Sequence, residues 1–155
     1  MVTGGGPGIM EAGARGAKDA GGVSIGMTIR LHHEQRDNPY ITESADFKYF
    51  FSRKTLLTFE AEAFIFFPGG FGTLDEFFDV LTLVQTGKIP KVPIILVGRD
   101  YWEPLDAFIK AQMLVAHKAI NPDDMKLYHI TEDSKEIVEI IRKTPVTNWW
   151  KHFQE

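Results

Sequence analysis

The stretch Pro68-Gly69-Gly70-Phe71-Gly72-Thr73-Leu74-Asp75-Glu76 decides how this chain reads. It follows a five-residue apolar run, Ala63-Phe64-Ile65-Phe66-Phe67, and leads into a segment where Leu74, Phe77, Phe78, Leu81 and Val84 recur at helical spacing. The order is strand, glycine loop, helix. Glycines let backbone amides come close to a ligand in conformations that a Cβ forbids. The first amides of a helix lack intrahelical acceptors and carry partial positive charge, which makes the loop a natural phosphate cradle. Glu76 sits beside it, one turn into the expected helix. A phosphate clamp next to an acid points to chemistry on a nucleotide or sugar phosphate. The local alternative is a capping box: Thr73-x-x-Glu76 lets each side chain satisfy the other residue's backbone amide. Three glycines and a proline ahead of it favour the phosphate reading, with Thr73 capping the helix and still offering its hydroxyl or amide.

Outward from this loop, strands and helices alternate. Helices are expected at Ile9 to Ala20 (closed by Gly21-Gly22), Ser52 to Glu62, 74–86 (stopped by Gly87), Trp102 to Ala116 and Ser134 to Lys143. The fourth carries Trp102, Leu105, Ile109 and Met113 on one face, and the last turns Ile137, Ile140 and Ile141 inward. Strands are expected at Val23 to Ile29, 63–67, 93–97 and Leu127 to Ile130, with short ones at Met1-Val2-Thr3 and Asp46 to Tyr49. The runs at 63–67 and 93–97 are apolar at every position, as in parallel strands covered on both faces. The fold expectation is α/β: one Rossmann-like, doubly wound, mainly parallel sheet with helices on both faces, over a single domain, 1–155. Ligands of such sheets sit at the carboxyl ends of the strands, where residues 4–11, 53–54 and 68–76 are all expected to meet.

Bulk properties narrow the class. The 155 residues suffice for one domain with a core; 44% are hydrophobic and the net charge is −4 with both signs interspersed. Without a basic stripe the chain lacks the electrostatic footprint of a nucleic-acid binder. The absence of cysteine excludes disulfides and thiolate metal sites. No apolar stretch approaches the roughly 20 residues of a membrane span, and no signal peptide opens the chain, so a cytoplasmic setting is expected. His32, His33, His117, His129 and His152 have no metal-ligand spacing, and no metal or cofactor is expected. The glycine loop at 4–8 misses the dinucleotide fingerprint, because the third glycine would fall on Ile9, and Gly87-Lys88 lacks the rest of a Walker motif.

Pro68-Gly-Gly-x-Gly-Thr-x-x-Glu76 resembles the signature of the LOG family of nucleoside-monophosphate phosphoribohydrolases. So do Arg53-Lys54 within Tyr49-Phe-Phe-Ser-Arg-Lys54, and Thr3-Gly-Gly-Gly-Pro-Gly-Ile-Met-Glu11, in the family's order and spacing. The likeness runs from residue 2 to about 141. Such proteins are often labelled lysine decarboxylases, yet no lysine here lies in a recognisable pyridoxal-phosphate setting.

The resemblance implies hydrolysis of the N-glycosidic bond of AMP or an N6-modified adenine nucleotide. Pro68, Gly69, Gly70, Gly72 and Thr73 would hold the 5′-phosphate, and Glu76 would act on the sugar. Arg53, whose guanidinium binds carboxylate or phosphate in a fixed fork, would orient Glu76 or hold the nucleotide. Lys54, roughly a quarter-turn away, has a lesser role. The loop Gly4, Gly5, Gly6 and Gly8 reads either as a tight strand-to-helix turn or as packing around ribose or base, with Met10 and Glu11 nearby. A homodimer is implied, and segment 30–43 as a lid or dimer contact. Relatives carry a strand, loop and helix before residue 4; that first βα unit is missing here, as in a shortened member, a fragment or the product of a misplaced start. The other-class reading is a nucleotide or molybdenum-cofactor carrier that binds without turnover. Asp75 is expected to serve the helix dipole. Phe47, Tyr49, Phe50 and Phe51 are expected in the core in preference to a base pocket, and Trp149, Trp150 and Phe153 to dock on this chain or a partner.

Overall fold

The computed structural model describes residues 1–29, 38–59 and 61–147. The chain forms two compact units, residues 1–60 and 61–155. The first contains β1 (Val2–Thr3), α1 (Ile9–Asp19), β2 (Ile25–Ile29), β3 (Glu43–Phe47) and α2 (Phe50–Thr58). Its three strands are parallel in the order β1-β2-β3, with Val2 opposite Ile25 and Gly26 opposite Ser44. Few side chains of this unit are buried: Ala14 on α1, then Ser24 and Asn38 in the connections.

The second unit contains β4 (Phe64–Phe66), α3 (Phe71–Gln85), β5 (Ile94–Val97), α4 (Arg99–Phe108), β6 (His129–Thr131) and α5 (Ser134–Lys143). Beyond Phe108 the helix runs on to Ala116 with wider, π-type turns. Its sheet is again parallel, β4-β5-β6, with Phe64 opposite Ile94 and Ile95 opposite His129. Apolar β5 is the central strand, and Ile94, Ile95 and Leu96 are buried. The core forms around Phe77, whose ring lies 5.7 Å from Phe66, 5.4 Å from Trp102 and 5.7 Å from Tyr128. Phe77 and Trp102 are fully buried, and each such side chain contributes about 1.5–3 kcal/mol by leaving water. At the far end, the Thr147 backbone N–H donates to the Glu62 carboxylate at 2.8 Å.

The α/β class and the parallel strands follow the sequence reading; the strands lie in two sheets of three. Some local readings change. The third strand sits at Glu43–Phe47, not 46–49, and α2 covers Phe50–Thr58, not 52–62. Tyr49, Phe50 and Phe51 are exposed, contrary to the core expectation; Tyr49 and Phe51 stack on each other, rings 5.7 Å apart. Neighbouring positions at a helix start point in different directions, so one core cannot take them all. Residues 30–37, where the sequence suggests a loop with His32 and His33, and the end of the chain, with Trp149, Trp150, His152 and Phe153, lie outside the described residues. Among the described residues no helix is long and apolar enough to cross a membrane.

Candidate functional site

In the second unit, β4 ends at Phe66 and its carboxyl end opens onto Pro68-Gly69-Gly70. The helix starts at Phe71, three residues earlier than the apolar periodicity suggests, with Gly70 as its N-cap and no side-chain cap. The capping-box reading therefore fails. Thr73 is the third helical residue; its N–H and that of Leu74 bond back to the Gly70 carbonyl at 3.1 and 3.2 Å. The Thr73 side chain lies against Gly69 instead, where a Cβ would collide with its hydroxyl and its own Cβ. Asp75 falls just past the first turn, so its expected role at the helix dipole is lost. Glu76 lies in the second turn, half-buried. The helix start carries no side-chain cap, and uncapped amides at a helix N-terminus favour an anion.

In the first unit, Gly4 to Gly8 connect β1 to α1. Gly5 has φ +78, and a Cβ there would press on Thr28 at 2.9 Å, so the position requires glycine. Its N–H donates to Thr3 Oγ1 at 3.2 Å. Gly8 is the N-cap of α1. Arg53, from α2, donates through Nε to the Met27 carbonyl of β2 at 2.7 Å. Its guanidinium lies over Gly4: a Cβ on Gly4 would strike it, and would come within 3.0 Å of Met10 Sδ. The fold thus gathers Gly4, Met10 and Arg53 here, with Lys54 next along α2.

Two supporting residues escaped the sequence reading. Asn38 is buried, and its Nδ2 donates to the carbonyls of Gly5 and Gly6 at 3.2 and 3.1 Å. Tyr101 donates its hydroxyl to the Gly69 carbonyl at 2.8 Å. Asn38 before Pro39 carries only a turn signal, and Tyr101 carries none.

Other polar groups stand apart from the loops. Burial and a 2.7 Å bond to Asp106 push the Tyr128 hydroxyl well above its ordinary pKa. Thr131 and His129 donate to Glu136 and hold its carboxyl below its usual range. A cleft of about 740 Å³ lies at the amino ends of β5 and β6, among Lys91, Pro93, Ile94, Leu127 and His129. It is at the opposite end of the strands from the glycine loop and shares no residue with it.

The family model described as "Possible lysine decarboxylase" matches residues 10–141. Over 142 residues the chain is 31% identical to the protein from Oryza sativa subsp. japonica named cytokinin riboside 5′-monophosphate phosphoribohydrolase LOG, covering 89% of this chain and 57% of that one. A protein of Rhodococcoides fascians named cytokinin riboside 5′-monophosphate phosphoribohydrolase is 33% identical over 111 residues, 66% of this chain and 53% of its own. One of the same name from Mycobacterium tuberculosis is 34% identical over 113 residues, 68% and 56% of the two chains. This chain spans little more than half the length of these curated relatives. The family model covers α1 from its second residue, both Arg53 and Glu76, and every later element through β6: the chain belongs to this family, the LOG family.

Proposed function

We propose that this chain hydrolyses the N-glycosidic bond of a nucleoside 5′-monophosphate, AMP or an N6-modified adenine nucleotide, to free base and ribose 5-phosphate. The observation that carries this is the glycine loop at the carboxyl end of β4, which runs without a side-chain cap into α3 and has Glu76 in the next turn. Relatives named as phosphoribohydrolases support the reaction class. Pro68, Gly69, Gly70, Gly72 and Thr73 take the 5′-phosphate, fixing the ribose before reaction. The bond from C1′ to the base nitrogen breaks with the electron pair leaving on the base, so C1′ becomes oxocarbenium-like. Glu76 stabilises that charge and takes a proton from the attacking water, whose oxygen bonds to C1′; that proton then passes to the departing base, which leaves neutral, and Glu76 is again a carboxylate. Arg53, held by the Met27 carbonyl, binds the sugar phosphate, with Lys54 and the Gly4–Gly8 loop, Met10 included, completing the nucleotide contacts. No metal enters this scheme. The same reading includes a homodimer in the cytoplasm and no nucleic-acid or membrane partner.

The test is chromatographic release of adenine from AMP. Loss of an acid–base group costs typically ~10²–10⁴ in rate, so Glu76→Gln should lower release at least about 100-fold, and Arg53→Ala, which removes a charged contact, should lower it roughly 10- to 150-fold. Full release by both folded variants would sink the mechanism. AMP binding without any base release by the native chain would replace hydrolysis with a carrier role, for a nucleotide or for molybdenum cofactor.

A further inference from the structure

The mechanism above uses no residue of α4, yet the first turn of that helix reaches the phosphate loop. Tyr101 Oη donates to the Gly69 carbonyl at 2.8 Å. The phenol stands on a firm base. Its ring packs edge-on against Trp102 at 4.9 Å, and Trp102 is fully buried, with Nε1 donating to the Val97 carbonyl at 3.2 Å. Trp102 in turn meets Phe77 of α3, the helix that the loop opens. The loop therefore touches both α3 and α4, and these two helices share one aromatic cluster.

The loop is also confined at Pro68. Gly98, which follows β5, has φ +107, and a Cβ there would come 3.1 Å from the Pro68 ring. Only glycine lets the two loops approach this closely at that backbone angle. The Thr73 side chain against Gly69 closes a third side.

The peptide bond turns this confinement into a direction. Carbonyl and N–H of one trans peptide point opposite ways in a common plane. Anchoring the Gly69 carbonyl on Tyr101 therefore aims the Gly70 N–H away from α4. We propose that Tyr101 is a positioning residue for the phosphate loop: its hydroxyl fixes the Gly69–Gly70 peptide so that the Gly70 amide is presented to the phosphate of a phosphomonoester. Without that anchor a run of two glycines samples many backbone states, and ligand binding must order them. The inference rests on the phosphate-binding part of the proposed function and is independent of hydrolysis.

The experiment measures ribose 5-phosphate binding to the full chain and to Tyr101→Phe, with the thermal midpoint of each. The phenylalanine ring keeps the packing on Trp102 and removes only the hydroxyl. One hydrogen bond corresponds to roughly a 3- to 10-fold change. The Kd of the variant should rise by that factor while its midpoint stays within about 3 °C of native. With AMP as substrate, KM should rise and kcat hold. Backbone exchange at the Gly70 amide should quicken. An unchanged Kd overturns the proposal, as does a fall in kcat at constant KM. If the native chain binds ribose 5-phosphate but releases no base, hydrolysis fails and the Kd ratio still decides the role of Tyr101. If the native chain binds no ribose 5-phosphate, the loop is not an anion site and the proposal falls with it.

Discussion

The two glycine loops of this molecule follow the same local recipe, parallel strand into helix, and are held in opposite ways. The loop at 4–8 is held by polar contacts: Asn38 bonds the Gly5 and Gly6 carbonyls, and Arg53 lies over Gly4. It stands in a unit with few buried side chains. The loop at 68–72 is held mainly by shape, with one hydrogen bond from Tyr101. Gly98, Thr73 and Tyr101 confine it, and the helices behind it share Phe77 and Trp102 in a dense aromatic core. A loop held by hydrogen bonds fails when one side chain is removed. A loop held by packing fails with its core and otherwise loses only direction.

Removing the core should give the largest effect. Phe77→Ala leaves a cavity between Phe66, Trp102 and Tyr128, and such truncations cost about 3–5 kcal/mol. That is a large part of the ~5–15 kcal/mol typical of a domain. Urea unfolding followed by circular dichroism should show the loss, and ribose 5-phosphate binding should weaken with it. A cost under about 1 kcal/mol would mean that the second loop does not depend on its core.

Asn38→Ala should come next. It strands the Gly6 carbonyl, leaves the Gly5 carbonyl only its 3.0 Å bond from the backbone N–H of residue 38, and deprives the Tyr40 N–H of the Asn38 Oδ1 acceptor. An unsatisfied buried group costs about 1–3 kcal/mol. Amide exchange should speed up by roughly 5- to 150-fold in α1 and β2, with β5 and α3 unmoved. Equal acceleration in both units would remove the contrast between the loops.

The legibility of the sequence divides along the same line. Where packing decides structure, pattern suffices: the apolar run at 93–97 marks β5, the spacing of Trp102, Leu105, Ile109 and Met113 gives one face of α4 and its continuation, and Ser134–Lys143 is α5 as expected. The strand–loop–helix around Gly69 was visible for that reason. The start of α3 was not, because Gly70 caps it through backbone alone while Thr73, a good capping residue by type, packs on Gly69. The aromatics Tyr49 to Phe51 misled because residue type reports affinity for a core and not the direction a side chain takes. Asn38 acts over 33 and 32 residues of separation through two hydrogen bonds and Tyr101 over 32 through one, and no periodicity encodes a contact of that kind.

A titration sharpens the comparison with the smallest expected effect. The amide of Asn38 does not ionise, so the grip on the first loop is indifferent to acid. The second unit begins its last helix on a group that does ionise. Glu136 accepts from the Thr131 hydroxyl and from His129, which hold its carboxyl below its ordinary value, and Arg99 adds to this. A carboxylate whose pKa falls on folding adds stability above its unfolded pKa, near pH 4, and loses it as pH drops through the folded value. The site is exposed, so solvent screens the gain. Glu136→Gln should therefore have a slightly lower thermal midpoint than the native chain at pH 6, and the gap should close as the pH falls through the lowered pKa of the folded carboxyl. A gap that persists at low pH would show that Glu136 acts there as a neutral hydrogen-bonding partner. The second unit would then be as indifferent to acid at this point as the Asn38 contact is in the first.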